Sequence, residues 1–145
     1  MRKALGTHVL VEMFGCEPST LTNKEYVGRA LVRAAREANA HVVASYFHQF
    51  EPFGVSGAVI IEESHFTIHT WPEHGFAAVD LFYCSEDVDA ERAVEILVEM
   101  FKPSNIVTFE VKRGVLPELN IETFVKHDER FSHEKIELPE TVLVG

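Results

Sequence analysis

The chain has 145 residues and a formal net charge of −10, from 13 basic and 23 acidic side chains. That length suits a single domain able to bury a core, and 46% hydrophobic with 25% charged residues excludes disordered and fibrous classes. The negative balance repels a phosphate backbone, so nucleic acid is not an expected partner.

The N-terminal run "MRKALGTHVLVEMFGC" opens with basic residues as a signal peptide does, but Glu12 interrupts its apolar stretch and no long hydrophobic span follows. A soluble, cytoplasmic protein without membrane contact is expected. Cys16 and Cys84 are too few for a disulfide framework and lack the paired spacing of a zinc site.

Residues 8 to 15 alternate as a strand does. Residues 22 to 40 then place Tyr26, Val27, Ala30, Leu31, Ala34, Ala35 and Ala38 on one face of a helix, with an asparagine cap candidate. β-Branched and aromatic residues predict strands over 41 to 50 and 55 to 64. Two more, 65 to 71 and 76 to 84, flank a Pro and Gly containing connection suited to a hairpin. Residues 87 to 102 form a second helix, with an Asp cap and an acidic first turn, that stops before Pro103. An alternating strand follows over 104 to 114. The fold class is α+β: a two-layer sandwich with helices on one face of a mainly antiparallel sheet, in two β-α-β-like halves within one domain spanning 1 to 145. From residue 115 the charge density rises and periodicity fades, which predicts a loosely packed tail over 115 to 145.

The stretch "EESHFTIHTWPE", residues 62 to 73, concentrates the chemistry. Alternation turns Phe66 and Ile68 toward the core and leaves His65, Thr67, His69 and Trp71 on the other face. A turn over Glu73 to Gly75 sets His69 opposite Asp80 and His65 opposite Cys84, two acid–base arrangements. His65 and His69 have the four-residue spacing that places two metal ligands on one helical face. In a strand that spacing spans roughly 13 Å, so no metal is expected. Taken alone, Cys84 reads as a small buried hydrophobe and Phe50 as core. The residues by themselves define a candidate acid–base site of undefined purpose.

The segment "YFHQFEPFGVSGAVIIEESHFTIHTWPEHGFAAVDLFYCSEDVD" closely resembles the core of the small prokaryotic S-adenosylmethionine decarboxylases, with similarity from about residue 4 to 114 and "ESHxTIHTWPE" as its most specific motif. The resemblance implies a pyruvoyl enzyme that makes the aminopropyl donor for spermidine. It implies that the Ser64 hydroxyl attacks the Glu63 carbonyl, that the chain is cut into residues 1 to 63 and 64 to 145, and that Ser64 becomes the pyruvoyl cofactor. Neither a metal nor pyridoxal phosphate is then needed. By the same resemblance the pyruvoyl group forms a Schiff base with the substrate, His69 and Ser56 serve processing, and Cys84 returns a proton to the substrate. Phe50 stacks on adenine, His69 covers its other face, and Glu73 binds the ribose hydroxyls. Phe66 stands where leucine is usual, which implies a changed pocket, with backbone contacts to adenine at that position. The expected partners are S-adenosylmethionine and a second copy of the chain, a homodimer of two large and two small chains after processing, with sites near the interface. Relatives acting on ornithine or arginine share the chemistry, but Phe50 and Glu73 favour a nucleoside-bearing substrate. A non-catalytic regulatory paralogue would tend to lose Ser64, His69 or Cys84, and all three are present.

Overall fold

The computed structural model describes residues 4 to 116 and the backbone of 125 to 127. The chain runs β1 (Gly6–Phe14), α1 (Lys24–Glu37), β2 (Val42–Gln49), β3 (Val55–Ile61), β4 (Ser64–Trp71), β5 (Phe76–Tyr83), α2 (Ala90–Phe101), β6 (Asn105–Arg113) and β7 (Val125–His127), with 3₁₀ turns at Pro18–Thr20 and Pro72–His74. One seven-stranded sheet has the order β2-β3-β4-β5-β1-β6-β7, and every pairing is antiparallel. α1 carries the chain from β1 to the far edge, the meander β2 to β5 returns to pair with β1, and α2 carries it across to β6. This is the α+β sandwich with two β-α-β-like halves that the periodicity predicts.

Both helices are shorter than their apolar patterns. The Asn23 side chain accepts from the Tyr26 N–H at 3.0 Å and starts α1, and Asn39, at φ 66°, lies beyond its end. Asp89, not the first aspartate of the predicted stretch, caps α2 by accepting from the Arg92 N–H at 3.0 Å. α2 ends at Lys102, at φ 52°, before Pro103. Each cap satisfies an N–H that the helix itself leaves unpaired.

The core lies between the helices and one face of the sheet. Val27, Leu31 and Ala34 of α1 and Val94, Leu97 and Phe101 of α2 are buried with Val11, Val59, Phe66, Ile68, Val79 and Leu81 of the strands. Among the described residues no helix covers the opposite face, where Phe14, Tyr46, Ile60 and Trp71 are exposed. Nor is any helix of the described residues long and apolar enough to cross a membrane.

Three expectations are corrected. β3 ends at Ile61, and Ser64 opens β4 after a two-residue turn at Glu62 and Glu63. The β4–β5 register is shifted by two residues, so His69 faces Ala78, His65 faces Phe82, and Asp80 faces Thr67. Pro72 has no N–H for a ladder and joins the connection, whose last turn is closed by Gly75 at φ 59°. That draws the centre of the hairpin one residue earlier. A slip of two keeps every side chain on its face, so the predicted facing of Phe66 and His69 survives. Finally, β7 pairs with β6 within the stretch expected to be a loose tail; the rest of 117 to 145 lies outside the described residues.

Candidate active site

Among the described residues, Ser64 has the backbone least suited to its side chain. Its φ of 140° lies where L side chains are rare, a conformation that costs on the order of 1–3 kcal/mol and persists only where neighbours enforce it. Those neighbours are identifiable. Ser64 is paired with Ile61 on one side and Tyr83 on the other. The Glu62 N–H donates to the His41 carbonyl at 2.9 Å, and the Cys84 N–H donates to the Glu63 carbonyl at 2.9 Å. The second bond matters chemically, because an N–H aimed at a carbonyl oxygen polarises it and stays in place for an oxyanion. The Glu63 carboxylate meets His41 twice, Oε1 accepting from the backbone N–H at 3.0 Å and Oε2 lying 2.6 Å from the ring Nδ1. Burial pulls the Glu63 carboxyl upward, but these hydrogen bonds outweigh it and hold the group below the usual range.

A second group sits at the other end of β4. Ser56 and His69 occupy directly paired positions of β3 and β4, with Ser56 Oγ 2.7 Å from His69 Nδ1. This bond orients the imidazole and leaves Nε2 to exchange a proton with a third group. Phe50, just past β2, stacks edge-on with His48 at 4.6 Å and is 45% exposed, so its ring is solvent-facing and not core. Glu73 is exposed in the 3₁₀ turn that follows β4.

The expected site residues therefore fall into two clusters: Glu63, Ser64 and Cys84 at one end of the strand, Phe50, Ser56, His69 and Glu73 at the other. Five residues separate Ser64 from His69, about 16 Å at the rise of a β-strand. Within one chain the histidine does not reach the serine.

Between the clusters lies Asp80. His8 Nε2 stands 2.9 Å from Oδ1 and the Thr67 hydroxyl donates to Oδ2 at 3.0 Å. The His8 hydrogen bond above all, against the opposing effect of burial, keeps this carboxyl below the usual aspartate range. Nearby Glu12 is raised, by burial first and then by the negative charge of Asp80.

The Phe66 ring is fully buried on the helix side of the sheet, so it cannot line a pocket on the open face; only its backbone is available there. The two cysteines also separate. Cys16 is core, its thiol pushed up to about 11 by burial, whereas Cys84 is exposed beside Glu63. His65 packs against the Phe82 ring at 5.5 Å while His69 holds Ser56, and among the described residues no three His, Cys, Asp or Glu side chains converge on a metal-sized site. The contacts of His41 with Glu63 and of His8 with Asp80 escape sequence reasoning, since each joins residues remote in the chain, the first pair flanking strands and the second on two different strands, with no local motif.

A two-layer α+β chain with a hydrogen-bonded peptide carbonyl at one end of β4 and a histidine–serine pair near the other has the make-up of a small enzyme. A model described as S-adenosylmethionine decarboxylase matches residues 7–114. An S-adenosylmethionine decarboxylase proenzyme from Thermodesulfovibrio yellowstonii is 44% identical over 135 residues, covering 93% of this chain and 97% of the relative. One from Caldicellulosiruptor saccharolyticus is 50% identical over 112 residues, 77% of this chain and 90% of the relative. The crystal structure of the adenosylmethionine decarboxylase from Aquifex aeolicus superposes with a TM-score of 0.75 at 34% identity, over 82% of this chain and 98% of that one. A Trypanosoma brucei AdoMetDC monomer shares the fold, with a TM-score of 0.55 at 15% identity. The chain belongs to the S-adenosylmethionine decarboxylase family.

Proposed function

We propose that this chain is the precursor of a cytoplasmic, pyruvoyl-dependent enzyme that releases carbon dioxide from S-adenosylmethionine, and that Ser64 is the source of its cofactor. One observation carries the reading: Ser64 is held at φ 140° immediately after a carbonyl that accepts a hydrogen bond from the Cys84 N–H. A serine hydroxyl is a weak nucleophile unless aligned or deprotonated, and a strained peptide with a polarised carbonyl meets the first need.

Self-cleavage follows from these groups. Ser64 Oγ attacks the Glu63 carbonyl carbon, the Cys84 N–H stabilises the oxyanion, and the C–N bond breaks as the nitrogen takes a proton, leaving an ester. Loss of the Ser64 α-proton to a base expels the Glu63 carboxylate. The dehydroalanine left at residue 64 tautomerises to an imine, which water converts to a pyruvoyl group with release of ammonia. The products are a chain of residues 1 to 63 and one of residues 64 to 145, which includes the tail, from one self-processing domain. The pyruvoyl group supplies a carbonyl that withdraws the electrons left when carbon dioxide departs.

The remaining roles belong to side chains. Cys84 stands next to residue 64 and returns a proton to the substrate carbon. Phe50 and His69 offer ring faces to adenine and to the sulfonium cation, Glu73 accepts from the ribose hydroxyls, and residue 66 contributes through its backbone. The distance of about 16 Å between Ser64 and His69 supports a homodimer. In it, His69 and Ser56 of one copy serve Ser64 of the other, and Phe50 and Glu73 come with them. The exposed Tyr46, Ile60 and Trp71 on the open sheet face give that second copy an apolar surface to cover.

The test pairs intact-mass analysis of purified protein with carbon dioxide release from labelled substrates. Two fragments with a carbonyl-blocked residue 64, and release from S-adenosylmethionine, are expected. A single uncleaved chain, or release from ornithine or arginine alone, refutes the reading.

A further inference from the structure

The case for His41 rests on the reading of Ser64 as the cleavage site. We propose that His41 is a positioning residue for self-cleavage: its ring and backbone N–H clamp the Glu63 side chain and so hold the carbonyl of that same residue where the Ser64 hydroxyl attacks it. The reactive peptide lies in a two-residue turn between β3 and β4, which has little backbone of its own to resist twisting. It is pinned from two sides. On the β5 side, the Cys84 N–H holds the Glu63 carbonyl oxygen at 2.9 Å. On the β2 side, His41 supplies three contacts: its carbonyl accepts from the Glu62 N–H at 2.9 Å, its N–H donates to Glu63 Oε1 at 3.0 Å, and its ring Nδ1 lies 2.6 Å from Oε2.

The arrangement has the marks of a device rather than of core packing. The Glu63 side chain is only 12% exposed, so its carboxylate needs partners, whereas the His41 side chain is 71% exposed and contributes little to the core. Among the described residues, Glu63 and Glu62 are the charged groups that act on His41, and both raise its tendency to hold a proton, the Glu63 hydrogen bond foremost. With both carboxylate oxygens engaged, rotation of residue 63 about its backbone is restrained, and the carbonyl keeps its line to residue 64 as the C–N bond gives way to the ester. His41 touches neither reacting atom. Its effect belongs to maturation and ends there, since the peptide it positions is consumed once.

The experiment follows cleavage of freshly synthesised wild type, His41→Ala, His41→Asn, His41→Gln and Glu63→Gln by intact mass over time. His41→Ala is expected to cleave about threefold to tenfold more slowly, the effect of one charge-assisted hydrogen bond at a partly exposed position. Asparagine places an amide nitrogen where Nδ1 stands and restores the rate to within about twofold; glutamine, whose nitrogen lies farther out, does not. Glu63→Gln is slow, and adding His41→Ala to it costs nothing further. Fully matured His41→Ala keeps wild-type turnover per pyruvoyl group. Wild-type cleavage rates in His41→Ala, or failure of asparagine to outperform glutamine, overturn the proposal; failure of the wild type itself to cleave overturns the reading of Ser64 instead.

Discussion

Ser56 Oγ lies 2.7 Å from His69 Nδ1, across directly paired positions of neighbouring strands. If the pair handles the processing proton as one unit, its members should be non-additive. His69→Ala is expected to slow self-cleavage by about 10² to 10⁴, the range of positioned acid–base catalysis. Ser56→Ala should cost less, and the double variant no more than His69→Ala alone. Cleavage time courses on denaturing gels decide it, and additive losses would show that the two residues act separately.

Because Ser64 and His69 stand at opposite ends of β4, a chain lacking one should be rescued by a chain lacking the other. Under the proposed dimer, co-expressed Ser64→Ala and differently tagged His69→Ala chains should form a mixed dimer with one complete site. In it the His69→Ala chain is cut and the Ser64→Ala chain stays whole. Absence of cutting in a mixed dimer confirmed by pull-down would place both residues in one copy's site.

Cys84 contributes two separable groups. Its N–H holds the Glu63 carbonyl whatever the side chain, while its exposed thiol is the group proposed to return the proton. Cys84→Ala should therefore still mature but lose decarboxylase activity by about 10² or more. Equal losses of maturation and turnover would contradict this division.

Phe66 is expected to report on stability and not on substrate. Truncation of a fully buried aromatic ring costs about 3–5 kcal/mol, so Phe66→Ala should lower the denaturant midpoint sharply. Phe66→Leu should cost under about 2 kcal/mol and leave KM for S-adenosylmethionine unchanged. A raised KM in the leucine variant would mean that the ring reaches the pocket.

The carboxyl of Asp80 is depressed in the folded chain, first by its hydrogen bond with His8. A folded value below the unfolded one gives stability that is fully present above the ordinary aspartate range, near about 3.9, and is lost as pH falls through the folded value. Thermal midpoints of wild type and Asp80→Asn should therefore differ at neutral pH and converge in acid. A gap that widened on acidification would reverse the sign.

Local pattern carried much of this protein. The alternation over residues 65 to 71 told which side chains face the core, the Asn cap marked the start of the first helix while the second starts two residues later than its first aspartate suggested, and "ESHxTIHTWPE" carried the family resemblance. Those signals are legible because strand alternation and helix capping depend on residues a few positions apart. The β4–β5 register was not legible, since it hung on whether Pro72 ended a strand or began a turn. Nor was the placement of Ser64, whose left-handed backbone arises from strands on both sides of it.

What the sequence by itself determined is two helices and six of the seven strands, the inward face of each helix and of the strand over 65 to 71, and the residue types of the candidate site. Only the tertiary structure decided that Ser64 and His69 lie at opposite ends of one strand, that the Cys84 N–H meets the Glu63 carbonyl, and that His41 grips the Glu63 side chain. Each of those depends on sheet order and register, which are fixed by contacts between segments remote in the chain, and no periodicity within a segment encodes them.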